Sequence, residues 1–200
     1  YLQQLTYLYE VFILPAYIIG ITGASGSIYA LRLLEELSSR KCMAHIVATH
    51  NGKKVFEYET GCKVDNLSNL NKEFIVHDID NFFSPIASGS FKIDGMIIVP
   101  CTMATLGEIA TGTSKNLLGR AADVCLKEGR KLIIVPREAP LNLIHIENML
   151  RLVRAGAVIF PAMPSFYGKP NNINDIVNTV VGRLLDALGV QNDLYSKWGF

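Results

Sequence analysis

Tyr17–Ala30 reads YIIGITGASGSIYA and falls into three pieces. The run Tyr17–Thr22 is apolar enough for a buried strand. A loop of small residues follows. Ile28, Leu31, Leu34 and Leu37 then recur near one face of a helix expected over Ser25–Ser39. Strand, small-residue loop and helix form the opening unit of a doubly wound sheet.

The same alternation continues outward. AHIVAT (Ala44–Thr49) reads as a second strand and Lys53–Thr60 as a short helix. Residues 61–73 carry Gly, Asp, Asn and Ser and read as loop. FIVH (Phe74–His77) reads as a short strand. GMIIVP (Gly95–Pro100) and LIIVP (Leu132–Pro136) are continuous apolar strands stopped by proline, and AVIF (Ala157–Phe160) is a last one. Helices are expected over Asn116–Glu128, Leu141–Ala155 and Asn174–Leu188, the last with Gly189 as its C-cap. Strands apolar on both faces, alternating with helices, imply a parallel sheet covered on both sides. The expected fold is α/β: a doubly wound, mostly parallel sheet, Rossmann or flavodoxin-like, in one domain over residues 17–200.

Residues 1–16 form an apolar arm interrupted by Gln3, Gln4 and Glu10 and ended near Pro15, and the first basic residue is Arg32. A secretory signal or a transit peptide needs early basic residues, and a membrane span needs ~20 mostly apolar ones. Packing or an interface is the expected role of the arm, and no membrane partner is expected.

Half of the 200 residues are hydrophobic and 18% are charged, which implies that sister subunits cover part of the apolar surface. Nineteen Lys and Arg against 18 Asp and Glu leave a net charge of +1 and no nucleic-acid footprint. Cys42, Cys62, Cys101 and Cys125 are scattered without a CxxC pair, as in reduced thiols of a cytoplasmic protein. The four histidines are equally dispersed, so no metal is expected.

A loop that opens a helix presents N–H groups to an anion. Gly20, Gly23 and Gly26 are spaced GxxGxxG rather than GxGxxG, and no acid ends the second strand. Nicotinamide-dinucleotide binding is therefore the weakest reading. A tight turn alone, or phosphate or flavin contacts by Gly23, Ala24 and Ser25 with the Thr49 hydroxyl, are the others. Further loops rich in small and hydroxyl residues follow: SPIASGSF from Ser84, PCTMATLGEIATGTSKN from Pro100, VPREAP from Val135 and MPSFYGKP from Met163. Ligands of open parallel sheets bind beyond the carboxyl ends of the strands, and this set suits a planar ring with a phosphate.

Some side chains have two readings. Arg120 and Lys127 lie about two turns apart on one helix, as a phosphate-binding pair or as a solvent face with Asp123 and Glu128. Arg137 and Glu138 directly follow a strand, as ligand contacts or as a structural pair. Cys101 has no base beside it in the sequence and is no evident nucleophile.

TGASG, ETG, ASGSF, PCTMATLGEIATG, NLLGRAADVCLKEGRKLIIVPREAPL, HIENMLRL, GAVIFPAMPSFYGKP and a closing WG occur in this order. Together they resemble the flavin prenyltransferase family (UbiX/Pad1 type) over about Tyr17–Gly199, with the N-terminal sixteen residues outside. The resemblance implies a metal-independent transfer of a dimethylallyl group from dimethylallyl phosphate to N5 and then C6 of reduced FMN. It implies delivery of the prenylated flavin to a UbiD-type decarboxylase, and a homo-dodecamer with sites at subunit junctions. It places Gly23, Ala24, Ser25, Thr49, Ser88, Cys101, Thr102, Met103, Ala104, Arg120 and Arg137 around the flavin. Tyr167, Arg183, Lys127 and Trp198 fall to the donor, and Glu59, Lys127, Arg137 and Glu138 to catalysis. Gly61 stands where the family usually has Asp, and Lys169 where relatives often carry another residue. Two other functions remain in view, a flavin-dependent cysteine-type decarboxylase and a non-catalytic FMN carrier. The first needs a PASANT-type motif where this chain reads PCTMATLG. The second leaves Lys127, Arg137, Tyr167 and Arg183 without a purpose as a set.

Overall fold

Ala16–Ile21 form β1, the central strand from which the sheet grows in both directions. β1 pairs in parallel with β2 (Met43–Ala48), which pairs with β3 (Phe74–His77). On its other side β1 pairs with β4 (Gly95–Cys101), followed by β5 (Leu132–Pro136) and β6 (Val158–Ile159), all parallel. The order is β3-β2-β1-β4-β5-β6. The chain reverses its direction of travel between β1 and β4, and such a switch opens a crevice at the strand ends. The computed structural model describes residues 14–196 and 199, so most of the expected arm over 1–16, and Trp198, lie outside the described residues.

Alternate residues of each strand face opposite sides. Ile19, Ile21, Ile97, Val99, Ile133 and Val135 enter one apolar cluster. Helices α1 (Ser27–Ser39) and α6 (Ile173–Leu188) also contribute buried residues to it. Ile18, Met96, Ile98, Leu132 and Ile134 enter the other, with α3 (Met103–Ala110) and α4 (Leu117–Lys127). Both faces are therefore buried, which is why the strands are apolar throughout. Among the described residues, no helix is long and apolar enough to cross a membrane.

Several boundaries differ from expectation, for local reasons. α1 begins at Ser27 because Gly26 sits in the left-handed region at φ 111°. Its buried face is Ala30, Leu33, Leu34 and Leu37, while Ile28 is exposed. The second helix, α2, runs His50–Thr60 because the Thr49 hydroxyl caps it, accepting from Gly52 N at 3.0 Å. The expected loop over 61–73 contains a 3-10 helix, Val64–Asn69. The segment after Pro100 also read as loop, yet α3 forms within it. Met103, Leu106 and Ile109 bury one face, and the Thr102 hydroxyl accepts from Thr105 N at 3.2 Å. Burial of that face outweighs the modest helix propensity of Thr and Gly. α5 (Leu143–Arg154) and α6 begin behind Asn142 and Asn172, each accepting from a first-turn N–H. Gly189 closes α6 at φ 85°, as expected.

Candidate active site

The carboxyl ends of β1, β2, β4 and β5 are tied together by hydrogen bonds. The buried Thr22 hydroxyl donates to Pro100 O at 2.9 Å and accepts from Thr102 N at 2.8 Å. Thr49 N donates to Ile21 O at 3.0 Å, and Arg137 N to Cys101 O at 3.2 Å. The Arg137 side chain reaches back, its Nε donating to Ser25 O at 3.3 Å. Gly23, Ala24, Ser25, Thr49, Thr102, Met103, Ala104 and Arg137 thus belong to one rim. Thr22 was not singled out from the sequence; the signal was a hydroxyl ending an otherwise apolar strand.

Close approach fixes the glycines here. A Cβ on Gly23 would lie 2.9 Å from Asn51 Cβ, and one on Gly52 would lie 2.5 Å from Ile21 O. The backbone N–H groups of Gly23, Ala24, Ser25, Met103 and Ala104 have no acceptor among the described residues. Five amide donors from the loops after β1 and β4 are thus left without a protein acceptor at the carboxyl end of the sheet, among the described residues. They match a ligand rich in acceptor oxygens, such as a flavin phosphate or ring carbonyl.

Glu59 meets the same rim from the far end of α2. Its Oε2 accepts from Gly26 N at 3.0 Å and Ser27 N at 2.8 Å, so the first amides of α1 are already matched. Burial works to raise this carboxyl, but the Ser25 hydroxyl and the Ser27 and Gly26 amides outweigh it and hold it below its ordinary value. At neutral pH Glu59 is an anion: a hydrogen-bond acceptor or base, not a proton donor. The left-handed Gly61 after it, at φ 70°, ends the helix with no atom crowding the missing Cβ, so loss of the family's usual Asp leaves that turn intact.

Cys101 is fully buried, and burial pushes its thiol far up, so the thiolate needed for attack is not formed. Its place is in the core beneath the rim. Glu138 is exposed, and its Oε1 accepts from Ala139 N at 3.1 Å.

Not all the expected residues join this rim. Arg120 donates to Ala87 O at 3.1 Å and pairs with Asp123 at 2.8 Å, beside the loop that carries Ser88. Lys127 ends α4, pairs with Glu128 and lies against Gly89. Arg130, just beyond, donates to Phe91 O and Gly89 O. Eleven residues of α4 rise about 16 Å, and β5 starts soon after at Leu132. Lys127 therefore sits near the edge where strands begin, opposite the rim. Ser88, Arg120 and Lys127 form a second group, on the flank of α4. Tyr167 and Arg183 form a third. They line two adjoining pockets between the segment after β6 and α6, which share Ser165 and Thr179. Among the described residues, no group of His, Cys, Asp and Glu is placed to hold a metal ion.

The flavoprotein family model matches residues 15–185. The chain is 50% identical over 182 residues to the flavin prenyltransferase UbiX of Methanocaldococcus jannaschii, covering 91% of this chain and 97% of that protein. The crystal structure of AnUbiX (PadA1), in complex with FMN and dimethylallyl pyrophosphate, superposes with a TM-score of 0.90 at 39% identity, covering 94% of this chain and 98% of that one. A dodecameric, FMN-dependent UbiX-like decarboxylase from Escherichia coli O157:H7 gives 0.88 at 42% identity, over 92% of this chain and all of the other.

Proposed function

The chain belongs to the flavoprotein family and, within it, to the flavin prenyltransferases, and on that footing we propose the roles of its residues in joining a dimethylallyl group to reduced FMN. The observation that carries the reading is the rim of five unmatched amides at the β1–β4 switch point, bordered by Arg137 and Glu59. Those amides, the Ser25 N–H among them, and the Thr49 hydroxyl suit the oxygen-rich edges of FMN. Thr49 accepts from Gly52 and keeps its own proton to donate. When bound, reduced FMN supplies the nucleophilic N5 and the adjacent C6.

The chain's own part is to release the donor's phosphate and to manage protons. An allylic C–O bond breaks readily once cations stabilise the departing oxygens. Arg137 borders the flavin rim, and Arg183 and the Tyr167 hydroxyl line the neighbouring pockets. Lys127 and Arg120 complete the cationic set from the flank of a second copy. With FMN held at the rim, ionised Glu59 would offer it a hydrogen-bond acceptor, and the exposed Glu138 would serve as the base that takes up the proton released on ring closure. Water, which would trap the allylic cation, is excluded by the assembled subunits.

Assembly is supported by the separation of the Lys127 group from the rim, and by α5, of which only Leu152 is buried. We propose a dodecamer, in a cytoplasmic setting that keeps the exposed Cys62 reduced. The product is passed to a UbiD-type decarboxylase.

The test is anaerobic incubation with reduced FMN and either dimethylallyl monophosphate or diphosphate, followed by mass spectrometry of the released flavin. A flavin heavier by one five-carbon unit is expected. Unchanged FMN with both donors would overturn the reading in favour of a carrier.

A further inference from the structure

We propose that Lys169 and the pocket it lines form a subsite for the outer phosphate of a diphosphate donor, next to an Arg183 pocket that takes the prenyl chain and inner phosphate. The inference rests on the reading above that Tyr167 and Arg183 meet the donor.

The two pockets differ in chemistry. That of Arg183, about 280 Å³, combines apolar walls from Ile159, Phe160, Met163 and Val180 with the polar groups of Ser165, Thr179 and Arg183. That of Lys169, about 180 Å³, is lined by Tyr167, Asn171, Tyr195 and Ser196 and is mostly polar. Their common wall is built. The Thr179 hydroxyl donates to Ile176 O at 2.7 Å and accepts from Ser165 N at 3.2 Å, and both residues line both pockets. A donor with one phosphate fills the first pocket. A second phosphate, attached through a bridging oxygen, extends past this partition into the other.

The cations are available. Neither Lys169 nor Arg183 makes a side-chain hydrogen bond or ion pair among the described residues. By contrast Arg32, Arg40, Arg120 and Arg130 are each held by protein oxygens. Lys169 is the one cation lining its pocket among the described residues. Asp175 lines it too, but its Oδ2 is taken by Asn171 N at 2.9 Å. Lys169 is also held at φ 51°, in the left-handed region that glycine or asparagine occupies at lower cost. The cost is borne beside Gly168, where a residue better suited to such a turn already stands. Outliers of this kind collect at ligand clamps.

The outer wall is fixed in advance. Tyr195 OH donates to Asp186 Oδ2 at 2.6 Å, and Asn192 Nδ2 donates to Gly182 O at 3.0 Å and Asp186 Oδ1 at 2.8 Å. A Cβ on Gly182 would lie 2.5 Å from the Tyr195 ring, so glycine lets this strap lie directly on α6, next to Arg183. The reaction balances as before. The C1–O bond breaks with its electron pair leaving on diphosphate instead of phosphate.

The experiment compares kcat/KM for dimethylallyl diphosphate and monophosphate in assembled, FMN-loaded wild type, Lys169→Gln and Lys169→Arg. The ratio of the two values should fall at least tenfold in Lys169→Gln and recover most of the way in Lys169→Arg. An unchanged ratio, or a wild type that turns over monophosphate alone, would overturn the subsite. If neither donor is turned over, the prenyltransferase reading fails, and inorganic pyrophosphate decides the subsite separately. Pyrophosphate raising the wild-type melting temperature more than equimolar phosphate, with the difference lost in Lys169→Gln, supports it. No difference in the wild type overturns it.

Discussion

Helices α5 and α6 begin alike and end in different surroundings. Each starts behind an asparagine cap and carries an apolar stripe. α6 buries eight residues, including Val177, Val180, Val181, Leu184, Leu185 and Leu188, against α1 and the sheet. α5 buries only Leu152, and leaves Leu143, Ile146, Leu150 and Val153 between 48% and 69% exposed. These four are spaced 3, 4 and 3, the period of a helix packed along one seam. The same sequence signal thus meets two fates: on α6 it is buried within the chain, and on α5 it stays exposed, the face proposed above for other copies. That division underlies the proposal that a second copy brings the Lys127 group to the rim at the strand ends.

The largest effect is expected from breaking the α5 side. Ile146→Glu with Leu150→Glu should disperse the assembly and lower prenyl transfer by more than 100-fold, with the circular dichroism spectrum unchanged. Sedimentation velocity and turnover check this. A monomer that kept full activity would remove the need for a composite site. On the α6 side, Leu184→Ala should cost about 3 kcal/mol of folding stability, read from denaturant unfolding, because a fully buried leucine leaves a cavity behind.

A smaller effect separates core from assembly through pH. His45 is buried on β2, its Nδ1 2.9 Å from His77 Nε2, and the Ser84 hydroxyl lies 2.9 Å from the other nitrogen of His77. Burial, and then the nearby His77, bring His45 down to about 4 from the usual 6.5. The unfolded chain therefore binds more protons between those values, and stability is full above pH 6.5 and is lost as pH falls through that window. His45→Gln should remove about 1–2 kcal/mol of the loss between pH 7 and pH 5. Thermal melts at both pH values check this, with light scattering to follow assembly. An equal loss in the variant would assign the acid sensitivity to the subunit contacts.

Much of the core was legible. The apolar runs of β1, β4 and β5 lie within a residue of their expected bounds, because a strand covered on both faces must be apolar at every position. α3 was not legible, since Thr, Gly and Ala between Pro100 and Thr113 resemble loop until Leu106 and Ile109 are seen to be covered. The rim residues were legible through family motifs, but the role of Glu59 as an ionised cap of α1 was not. It depends on a contact across 32 residues that no periodicity encodes.

The sequence by itself determined the parallel, doubly wound sheet, the family, and the loops that gather at the strand ends. These follow from local patterns: apolar runs, glycine spacing, capping residues and short motifs. Only the tertiary structure decided which apolar stripe is core and which is left exposed. Only it set Lys127 at the opposite edge from Arg137, and Lys169 beside a pocket partitioned by Thr179 and Ser165. A stripe records that a face avoids water, but not whether its cover comes from the same chain or another. That depends on how the helices fall on the sheet, which is settled when all of them pack together.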